Sequence, residues 1–347
     1  MAEKETEINE LGEFGLINHL TKDFAISNEE TKLGVGDDAA VITFGDKDAV
    51  VTTDLLLEGI HFDLRYVPLQ HLGYKAAIVN FSDIYAMNAT PRQITVSIGI
   101  SSRFTVEHIE SLYSGIKKAC EIYGVDLVGG DTSASVTGLV ISITCLGMAD
   151  KDDVVKRSGA KPTDIICVSG DLGAAYMGLQ LLERENSIAA QQKDKNFQPD
   201  FAGKEYIIER QLKPEARKDI IELLKKEGIK PTSMIDVSDG LSSELLHICH
   251  KSDVGCRVYE DKIPIDYQTA LMAEEFNLNL VTVAMNGGED YELLFTVPLT
   301  DHEKIEKLKG IRMIGYITKP ELGAAMVTRD GAEIPIKAQG WNAFNKV

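Results

Sequence analysis

Short runs of apolar and β-branched residues alternate along the chain with longer segments of helical periodicity, and this pattern predicts a mixed α+β fold. In the first part of the chain, strands are predicted at 39–44, 49–53, 93–100, 126–128 and 139–147. Helices are predicted at 13–20, 69–89 and 106–123. The charged stretch 150–153 is interpreted as a linker, so a first domain is predicted at 1–150 and a second at 151–347.

The second domain continues the alternation of strand and helix. A strand at 165–168 leads into Ser-Gly-Asp-Leu-Gly and a helix that begins at Ala174. Backbone N–H groups at such a turn can hold a phosphate, although most turns of this kind bind nothing. The polar segment 185–203 has no periodicity and is interpreted as an exposed insertion. A helix through His250, a strand that ends at Val297 and a helix at 301–309 follow.

Glycine-flanked carboxylates recur where strands are predicted to begin or end. Gly-Val-Gly-Asp-Asp at 34–38 precedes the first predicted strand, Thr-Thr-Asp at 52–54 ends the second, and Gly-Gly-Asp at 129–131 follows another. Carboxylates brought together repel one another unless a cation lies between them, and a hard cation with oxygen ligands is the natural occupant. Each motif alone also fits an ordinary turn, because Gly supplies positive φ and Asp bonds its own backbone.

The helix predicted at 69–89 is apolar on most sides, which predicts that it is buried. It nevertheless carries Asn80, Ser82 and Asp83 in its middle. Asn and Asp are poor formers of helix interiors and are costly to bury without partners. Two interpretations remain open: a polar network satisfied by nearby backbone, or a carboxylate at Asp83 that faces a metal ion. The second is favoured.

Two further acidic patches lie in the second domain. In Asp-Val-Ser-Asp-Gly at 236–240, Asp239 can cap the following helix, whereas Asp236 has no such role and Ser238 adds another oxygen. Gly-Gly-Glu-Asp at 287–290 presents two carboxylates ahead of a strand. A metal site at His247 and His250 is disfavoured, because no carboxylate or second Cys-His pair completes it.

Charge and cysteine usage narrow the classes of partner. The chain has 36 Lys and Arg against 54 Asp and Glu, a net charge of −18, which argues against nucleic acid and anionic membranes as partners. Five scattered cysteines in mostly apolar segments indicate reduced core residues of a cytoplasmic protein. The amino terminus is acidic where a signal peptide is basic, and the longest apolar stretch, 139–149, is shorter than the about 20 residues that a membrane span needs.

The remaining motifs favour metal-assisted phosphoryl transfer. No G-x-x-x-x-G-K-[ST], kinase signature or G-x-S-x-G is present, and β-type residues follow the glycines at 34 and 36, which excludes a dinucleotide fingerprint. Phosphoryl transfer requires mainly in-line positioning and neutralisation of charge, and magnesium ions can supply that charge. The residues alone do not identify the acceptor.

Seven segments carry a resemblance to a known family. They are Gly-Val-Gly-Asp-Asp-Ala-Ala at 34–40, Thr-Thr-Asp at 52–54, Asn-Phe-Ser-Asp at 80–83, Gly-Gly-Asp-Thr at 129–132, Arg-Ser-Gly-Ala-Lys-Pro at 157–162, Asp-Val-Ser-Asp-Gly-Leu at 236–241 and Gly-Gly-Glu-Asp-Tyr-Glu-Leu at 287–293. In this order, and over nearly the whole chain, they resemble the thiamine-monophosphate kinase family, whose superfamily includes aminoimidazole ribonucleotide synthetase.

The resemblance implies a two-domain, aminoimidazole ribonucleotide synthetase-like fold. Its N-terminal α/β-sandwich domain would bind ATP and magnesium and dimerise through its sheet, and its C-terminal mixed α/β domain would complete the phosphate and substrate site. The implied reaction is the last step of thiamine diphosphate biosynthesis, in which ATP phosphorylates thiamine monophosphate by direct in-line transfer with several Mg²⁺ ions, in a cytoplasmic homodimer.

The resemblance also implies roles for individual residues. The implied magnesium ligands are Asp38, Thr52, Thr53, Asp54, Asp83, Asp131, Asp236 and Asp239. The implied ATP contacts are Tyr113, Gly130, Asp131, Arg157 and Ser238. The implied substrate contacts are His61, Glu289 and Trp341, and an aromatic face suits the cationic thiazolium. The acceptor is already a phosphate oxyanion, so no general base is assigned.

One departure and two alternatives accompany the resemblance. The chain has Asn88 where the family usually has Gly, and Asn tolerates the left-handed conformation. A different ATP-using transferase of the superfamily is disfavoured: selenophosphate synthetase needs a reactive Cys near the amino terminus, whereas the first here is Cys120, and the hydrogenase maturation relative needs a carboxy-terminal Cys, whereas this chain ends Asn-Lys-Val. A non-catalytic dimer that binds nucleotide or metal is the alternative from another class.

Overall fold

The computed structural model describes residues 30–191 and 201–339, which form two β-sheets with helices packed against them. The first part contains β1 (Thr31–Leu33), β2 (Ala40–Phe44), β3 (Lys47–Leu57), α1 (Leu69–Ala86), β4 (Thr90–Ile100), α2 (Val106–Tyr123), β5 (Asp126–Ala134) and β6 (Val140–Asp150). The predicted helix at 13–20 lies outside the described residues. The predicted α+β class is confirmed, whereas the division into domains at residue 150 stays a prediction.

The first sheet has the strand order β1-β2-β3-β6-β4-β5. Its neighbours are antiparallel except for β4 and β5, which run parallel because α2 forms the crossover between them. On one face, alternate residues such as Val96 and Ile143 are buried against the helices. On the opposite face, Ser97, Ser142 and Thr144 are only half-buried. No helix of the described part of the chain covers that second face.

α1 lies between the first sheet and α2, which is why it is buried at nearly all positions, as predicted. The two helices cross with their backbones in contact. A Cβ atom on Gly73 would lie 1.9 Å from the carbonyl oxygen of Leu112, and one on Gly115 would lie 1.9 Å from the carbonyl oxygen of Gln70. Glycine is therefore required at both positions, and the close crossing fixes the helix that carries Asp83. α1 ends before Asn88, whose φ of 56° confirms the predicted left-handed conformation.

The second sheet has the strand order β13-β12-β9-β11-β7-β10-β8. Its part of the chain contains β7 (Ile165–Ser169), α3 (Ala174–Gln191), α4 (Glu205–Leu212), α5 (Lys218–Lys226), β8 (Ser233–Asp236), α6 (Leu241–Ser252), β9 (Gly255–Tyr259), α7 (Tyr267–Glu275), α8 (Leu280–Asn286), β10 (Leu293–Val297), α9 (His302–Ile305), β11 (Ile311–Thr318), β12 (Ala324–Val327) and β13 (Glu333–Pro335), with short 3₁₀ turns at Glu260–Lys262, Leu299–Asp301 and Pro320–Leu322. One apolar core, which includes Ile84 and Phe295, continues from the first sheet into the second.

Several strand boundaries differ from the sequence predictions. β3 pairs with β6 along its whole length, so Asp54 lies inside a strand opposite Ile143 rather than at a strand end. β5 continues to Ala134 because it pairs with β4 along Gly129–Asp131, which were predicted to follow the strand. β6 does not pair with β5, the strand before it in the chain, but lies between β3 and β4. Ladder pairing outweighs the breaking tendency of Gly and Asp at these positions.

Two helix predictions also need correction. α3 continues to Gln191, so the first part of the predicted exposed insertion is helical, and Glu185 within it is buried. Residues 192–200 lie outside the described part of the chain. The helix predicted at 301–309 is reduced to α9, which ends at Ile305. Across the residues that the structure describes, no helix has the length and apolar character of a membrane span.

Candidate active site

A cavity of about 1330 Å³ lies between the two sheets. The first part of the chain lines it with β3, α1 and the loop before β2, and the second part with the β8–α6 connection and the turn after α8. Both halves of the sequence therefore contribute to one concave site, the arrangement typical of ligand sites at the junction of two units.

Three aspartates from distant parts of the sequence meet in this cavity. Asp38 comes from the loop before β2, Asp83 from the middle of α1 and Asp236 from the end of β8. One carboxylate oxygen from each lies within 4.8 Å of the other two. A buried helix presents Asp83 to the cavity, so the metal-facing interpretation of that residue is the one that the geometry favours over a backbone-satisfied network.

Each of the three carboxylates has a polar partner. The Thr52 hydroxyl donates to Asp83 Oδ2 at 2.6 Å, and the Ser82 hydroxyl donates to Asp236 Oδ2 at 2.6 Å. Asp38 accepts two hydrogen bonds from the Arg157 guanidinium, at 2.9 Å from Nε and 2.7 Å from Nη2. Such bidentate pairs fix the orientation of both groups. Arg157, predicted as an ATP contact, is thus also the residue that orients Asp38.

The electrostatics of the cluster favour a bound cation. Burial, followed by the charges of Asp54, Asp236 and Asp38, raises the pKa of Asp83 well above its usual value. Burial and the charge of Asp38 raise the pKa of Asp236 to about 7, and burial raises the pKa of Asp54 to about 6. Asp54 Oδ2 is buried without a hydrogen-bond partner in the described structure. These all-oxygen groups fit Mg²⁺, which would relieve both the repulsion and the unsatisfied oxygen.

The same cavity contains two of the predicted substrate contacts. Glu289 has a left-handed backbone, with φ of 65°, and its Oε2 lies 3.0 Å from Lys75 Nζ and 2.9 Å from Gln211 Nε2. His61 Nδ1 accepts the N–H of Leu57 at 3.0 Å, so a neutral ring carries its proton on Nε2. Burial lowers the pKa of His61, which favours that neutral form.

Asp290 and Glu292, which follow Glu289 closely, have structural partners. Asp290 accepts the N–H groups of Gly173 at 2.7 Å and Ala175 at 3.2 Å, at the start of α3. Glu292 pairs with Arg210 at 2.9 Å and also contacts Arg217. The glycine turn at 169–173, considered as a phosphate site from the sequence, therefore has N–H groups that Asp290 already occupies. A carboxylate distant in sequence, rather than a phosphate, therefore binds at this turn.

Most of the predicted site residues line this cavity, and three of the described ones do not. The lining includes Asp38, Thr52, Thr53, Asp54, His61, Asp83, Arg157, Asp236, Ser238, Asp239 and Glu289. Tyr113 lies on α2, packed against the core, and Gly130 and Asp131 lie on the exposed edge strand β5. Trp341 lies outside the described residues. The roles assigned to these residues stay predictions.

The sequence analysis missed Glu244 on α6, which lines the cavity. His247, considered there only as a metal ligand and disfavoured, lines it as well. Glu244 is 1% exposed, and its Oε1 accepts the N–H of Asp239 at 2.9 Å. Burial, then the charge of Asp239, raises its pKa well above the usual value. A signal was present, because Glu244 shares the buried face of α6 with Leu241 and Ile248 at helical spacing.

Comparisons with known proteins cover nearly the whole chain. Residues 36–149 match the family described as AIR synthase related protein, N-terminal domain. A thiamine-monophosphate kinase of Bacillus subtilis is 33% identical over 344 residues, which cover 96% of this chain and 100% of that protein. The solved structure of AaThiL complexed with AMPPCP and TMP superposes with a TM-score of 0.83 at 32% identity, covering 99% of this chain and 100% of that one. Escherichia coli HypE, a hydrogenase maturation protein, has a TM-score of 0.65 at 15% identity over 83% of this chain and 85% of that one, a likeness of fold alone.

Proposed function

The chain belongs to the thiamine-monophosphate kinase family, and we propose that it transfers the γ-phosphoryl group of ATP to thiamine monophosphate to give thiamine diphosphate. The observation that carries the proposal is the convergence of Asp38, Asp83 and Asp236 in one cavity with the predicted substrate contacts His61 and Glu289. The solved relative complexed with AMPPCP, an ATP analogue that cannot be hydrolysed, and TMP supports the same pair of substrates.

The acidic end of the cavity would hold Mg²⁺. The residues proposed to bind it are Asp38, Thr52, Asp54, Asp83, Asp236 and Asp239. The role predicted for Thr53 stays a prediction, because its hydroxyl lies on the opposite face of the sheet, 3.1 Å from the Thr144 hydroxyl. When bound, Mg²⁺ would neutralise charge on the phosphate oxygens and orient them for in-line transfer. The chain's own contribution is to hold the carboxylate oxygens in place. The close crossing with α2 fixes α1, which carries Asp83, and Arg157 fixes the orientation of Asp38.

The cavity itself supplies the remaining requirements of the reaction. Arg157 offers a permanent positive charge beside the aspartates, which suits a nucleotide phosphate. The acceptor oxygen of thiamine monophosphate is anionic at neutral pH, so no side chain has to remove a proton from it. His61, with its proton on Nε2, can donate a hydrogen bond to the substrate.

The part of the cavity around Glu289 suits the thiamine group. Tyr66 and Tyr176 line it together with Glu289, and aromatic faces attract a cationic ring. Gln339, the last described residue, also lines the cavity, and its N–H donates to Asn286 Oδ1 at 3.1 Å. Trp341 follows two residues later, within about 7 Å of extended chain. This supports the proposal that Trp341 contacts the thiazolium.

A homodimer through the first sheet would explain the residues that lie outside the cavity. Asp131 aligns with Ser97, Ser142 and Leu55 across the sheet, so it lies on the face opposite to Asp54 and about 14 Å away, at three strand spacings. That face is covered by no described helix, and Leu55, in the same row as Asp131, is 53% exposed. We infer that a second copy packs on this face and brings Asp131 and Gly130 to its partner's nucleotide.

A single-turnover assay tests the proposed reaction. Enzyme in excess over thiamine monophosphate is mixed with ATP and Mg²⁺, and thiamine diphosphate is measured with time. Formation of one product per substrate, abolished by EDTA and restored by Mg²⁺, is expected. Tight ATP binding without thiamine diphosphate above background would leave the non-catalytic dimer as the better description. Phosphorylation of another acceptor in preference to thiamine monophosphate would favour a different transferase of the superfamily.

A further inference from the structure

Glu244 is a buried carboxylate with an unsatisfied oxygen in the proposed active site. Its Oε1 accepts the N–H of Asp239, whereas Oε2 is buried and has no hydrogen-bond partner in the described structure. The side chain lines the same cavity as the aspartates. A carboxylate oxygen without a partner is among the most costly groups to bury. Its position in the cavity therefore calls for a ligand that the chain itself does not provide.

The surroundings of Glu244 identify the chemistry of that ligand. The charged groups that act on it are Asp239 and, more weakly, Asp236, both of them acidic. A substrate phosphate or another carboxylate would add to this repulsion, whereas a divalent cation would relieve it and use the free oxygen as a ligand. Arg157, the nearby guanidinium of the site, is already bound to Asp38.

We propose that Glu244 supplies an oxygen ligand, directly or through a coordinated water, to a divalent cation held with Asp236 and Asp239. Glu244 and Asp239 do not belong to the described group of Asp38, Asp83 and Asp236 whose oxygens lie within 4.8 Å of one another, although Asp236 is shared between the two. Two-metal sites that handle phosphate commonly share a bridging carboxylate in this way. The proposal rests on the proposed function only in assuming that the cavity binds divalent cations.

A purely structural role is the competing explanation. Glu244 lies in the first turn of α6 and reaches back to the N–H of Asp239, much as the Glu of a capping box does. Glutamine at this position keeps an acceptor for that N–H but lacks the second anionic oxygen. Glu244→Gln therefore separates the two roles: capping survives the substitution, and cation binding does not.

Binding of Mn²⁺ with a non-hydrolysable ATP analogue, measured by electron paramagnetic resonance of the free ion, tests the proposal without turnover. Glu244→Gln is expected to weaken Mn²⁺ binding by about 10-fold or more, or to remove one ion per chain, the effect typical of lost ligand-shell contacts. Glu183→Gln is the matched control, because Glu183 lines the same cavity from α3. It removes the same charge and is expected to leave Mn²⁺ binding unchanged.

Glu244→Asp is a second variant for the case in which Glu244→Gln does not fold. It keeps the charge and moves the carboxylate oxygens away from the cation by one methylene. It is expected to weaken Mn²⁺ binding less than Glu244→Gln. Wild-type stoichiometry and affinity in either folded variant would overturn the proposal and leave capping as the role of Glu244. Because no thiamine monophosphate is present, the outcome is independent of the proposed reaction: a chain that makes no thiamine diphosphate can still lose Mn²⁺ when Glu244 is changed.

Discussion

Asp83 is the cavity residue on which the charges of three other aspartates act. It is buried in α1, and the charges of Asp54, Asp236 and Asp38 all oppose its ionisation. Without a cation, this repulsion lowers the stability of the folded chain; with one, the same carboxylates become ligands. Function and stability therefore have opposite requirements at this position.

Asp83→Asn is expected to raise the melting temperature in EDTA, because it removes a repulsive charge and keeps an acceptor for the Thr52 hydroxyl. The same change is expected to lower single-turnover rate by roughly 10²-fold or more, as when one group that stabilises transferring charge is lost. Asp48→Asn is the matched control: Asp48 is buried on β3 but accepts from Thr43 instead of lining the cavity. A wild-type rate in Asp83→Asn would contradict a ligand role.

The raised pKa values of Asp54 and Asp236, about 6 and about 7, predict how stability depends on pH. In the unfolded chain both groups ionise near pH 3.9. Between about pH 4 and about pH 7 the folded state binds more protons, so the free energy of unfolding falls as pH rises through this window and then levels off.

Thermal unfolding in EDTA across this pH range measures the effect, with Asp236→Asn as the comparison. The wild type is expected to lose stability with rising pH more steeply than the variant, and saturating Mg²⁺ is expected to reduce the difference because cation binding displaces the protons. Parallel pH profiles for the two proteins in EDTA would contradict the assignment of a raised pKa to Asp236.

Adjacent acidic residues illustrate what sequence alone could and could not predict. Asp83 was identified because a carboxylate in an apolar helix needs an explanation. Glu289 and Asp290 looked equivalent between two glycines and a strand, yet only Glu289 lines the cavity, whereas Asp290 binds N–H groups at the start of α3. The distinction depends on where α3 lies, which no local pattern contains. Glu244 was missed because a charged residue at helical spacing is usually a solvated position.

At the level of elements, the hydrogen bonds between Asp290 and the start of α3 predict that a substitution of Asp290 lowers the stability of the fold without lowering the reaction rate. Asp290→Asn replaces one of the two acceptors for Gly173 and Ala175 by a donor, and it removes the charge that lies 3.7 Å from Arg210. The free energy of unfolding is expected to fall by about 1–3 kcal/mol, as measured by urea denaturation.

The rate of Asp290→Asn at saturating substrates, well below its melting temperature, is expected to stay within a few-fold of wild type. Asp261→Asn is the control, since Asp261 is an exposed carboxylate in the short 3₁₀ turn after β9, and is expected to change stability by less than about 0.5 kcal/mol. A rate loss in Asp290→Asn as large as that of Asp83→Asn would mean that Asp290 takes part in catalysis.

The elements themselves were largely predictable, and their pairing was not. The bounds of α2 match the helical pattern at 106–123, because its apolar stripe is regular. β3 and β5 were predicted too short, because Gly and Asp normally interrupt strands, whereas here the register with β6 and β4 extends through Asp54 and Asp131. Strand order depends on contacts between residues that are far apart in sequence, so periodicity could not assign it.

At the level of the whole molecule, the exposed sheet face predicts that two copies share each active site. Asp54→Asn and Asp131→Asn are each expected to be nearly inactive alone. When the two variants are mixed as unfolded chains and refolded together, half of the dimers are mixed. If a partner supplies Asp131, each mixed dimer has one intact site, so about one quarter of the wild-type rate should return.

The same mixing experiment has an outcome that would contradict a shared active site. If Asp131 acts within its own chain, a mixed dimer contains no intact site, and the rate should remain at the level of the separate variants. Size-exclusion chromatography with light scattering on the wild type provides the accompanying control, because a monomer at assay concentrations would exclude the shared site directly.

The central claim is that carboxylates far apart in the sequence hold divalent ions that bind the polyphosphate of ATP. Anomalous diffraction from crystals grown with Mn²⁺ and a non-hydrolysable ATP analogue tests it most directly. The account predicts an anomalous peak among Asp38, Asp83 and Asp236, bridged to phosphate oxygens of the nucleotide, with ligand distances of about 2.0–2.3 Å. A nucleotide bound with no metal peak between these residues would contradict it.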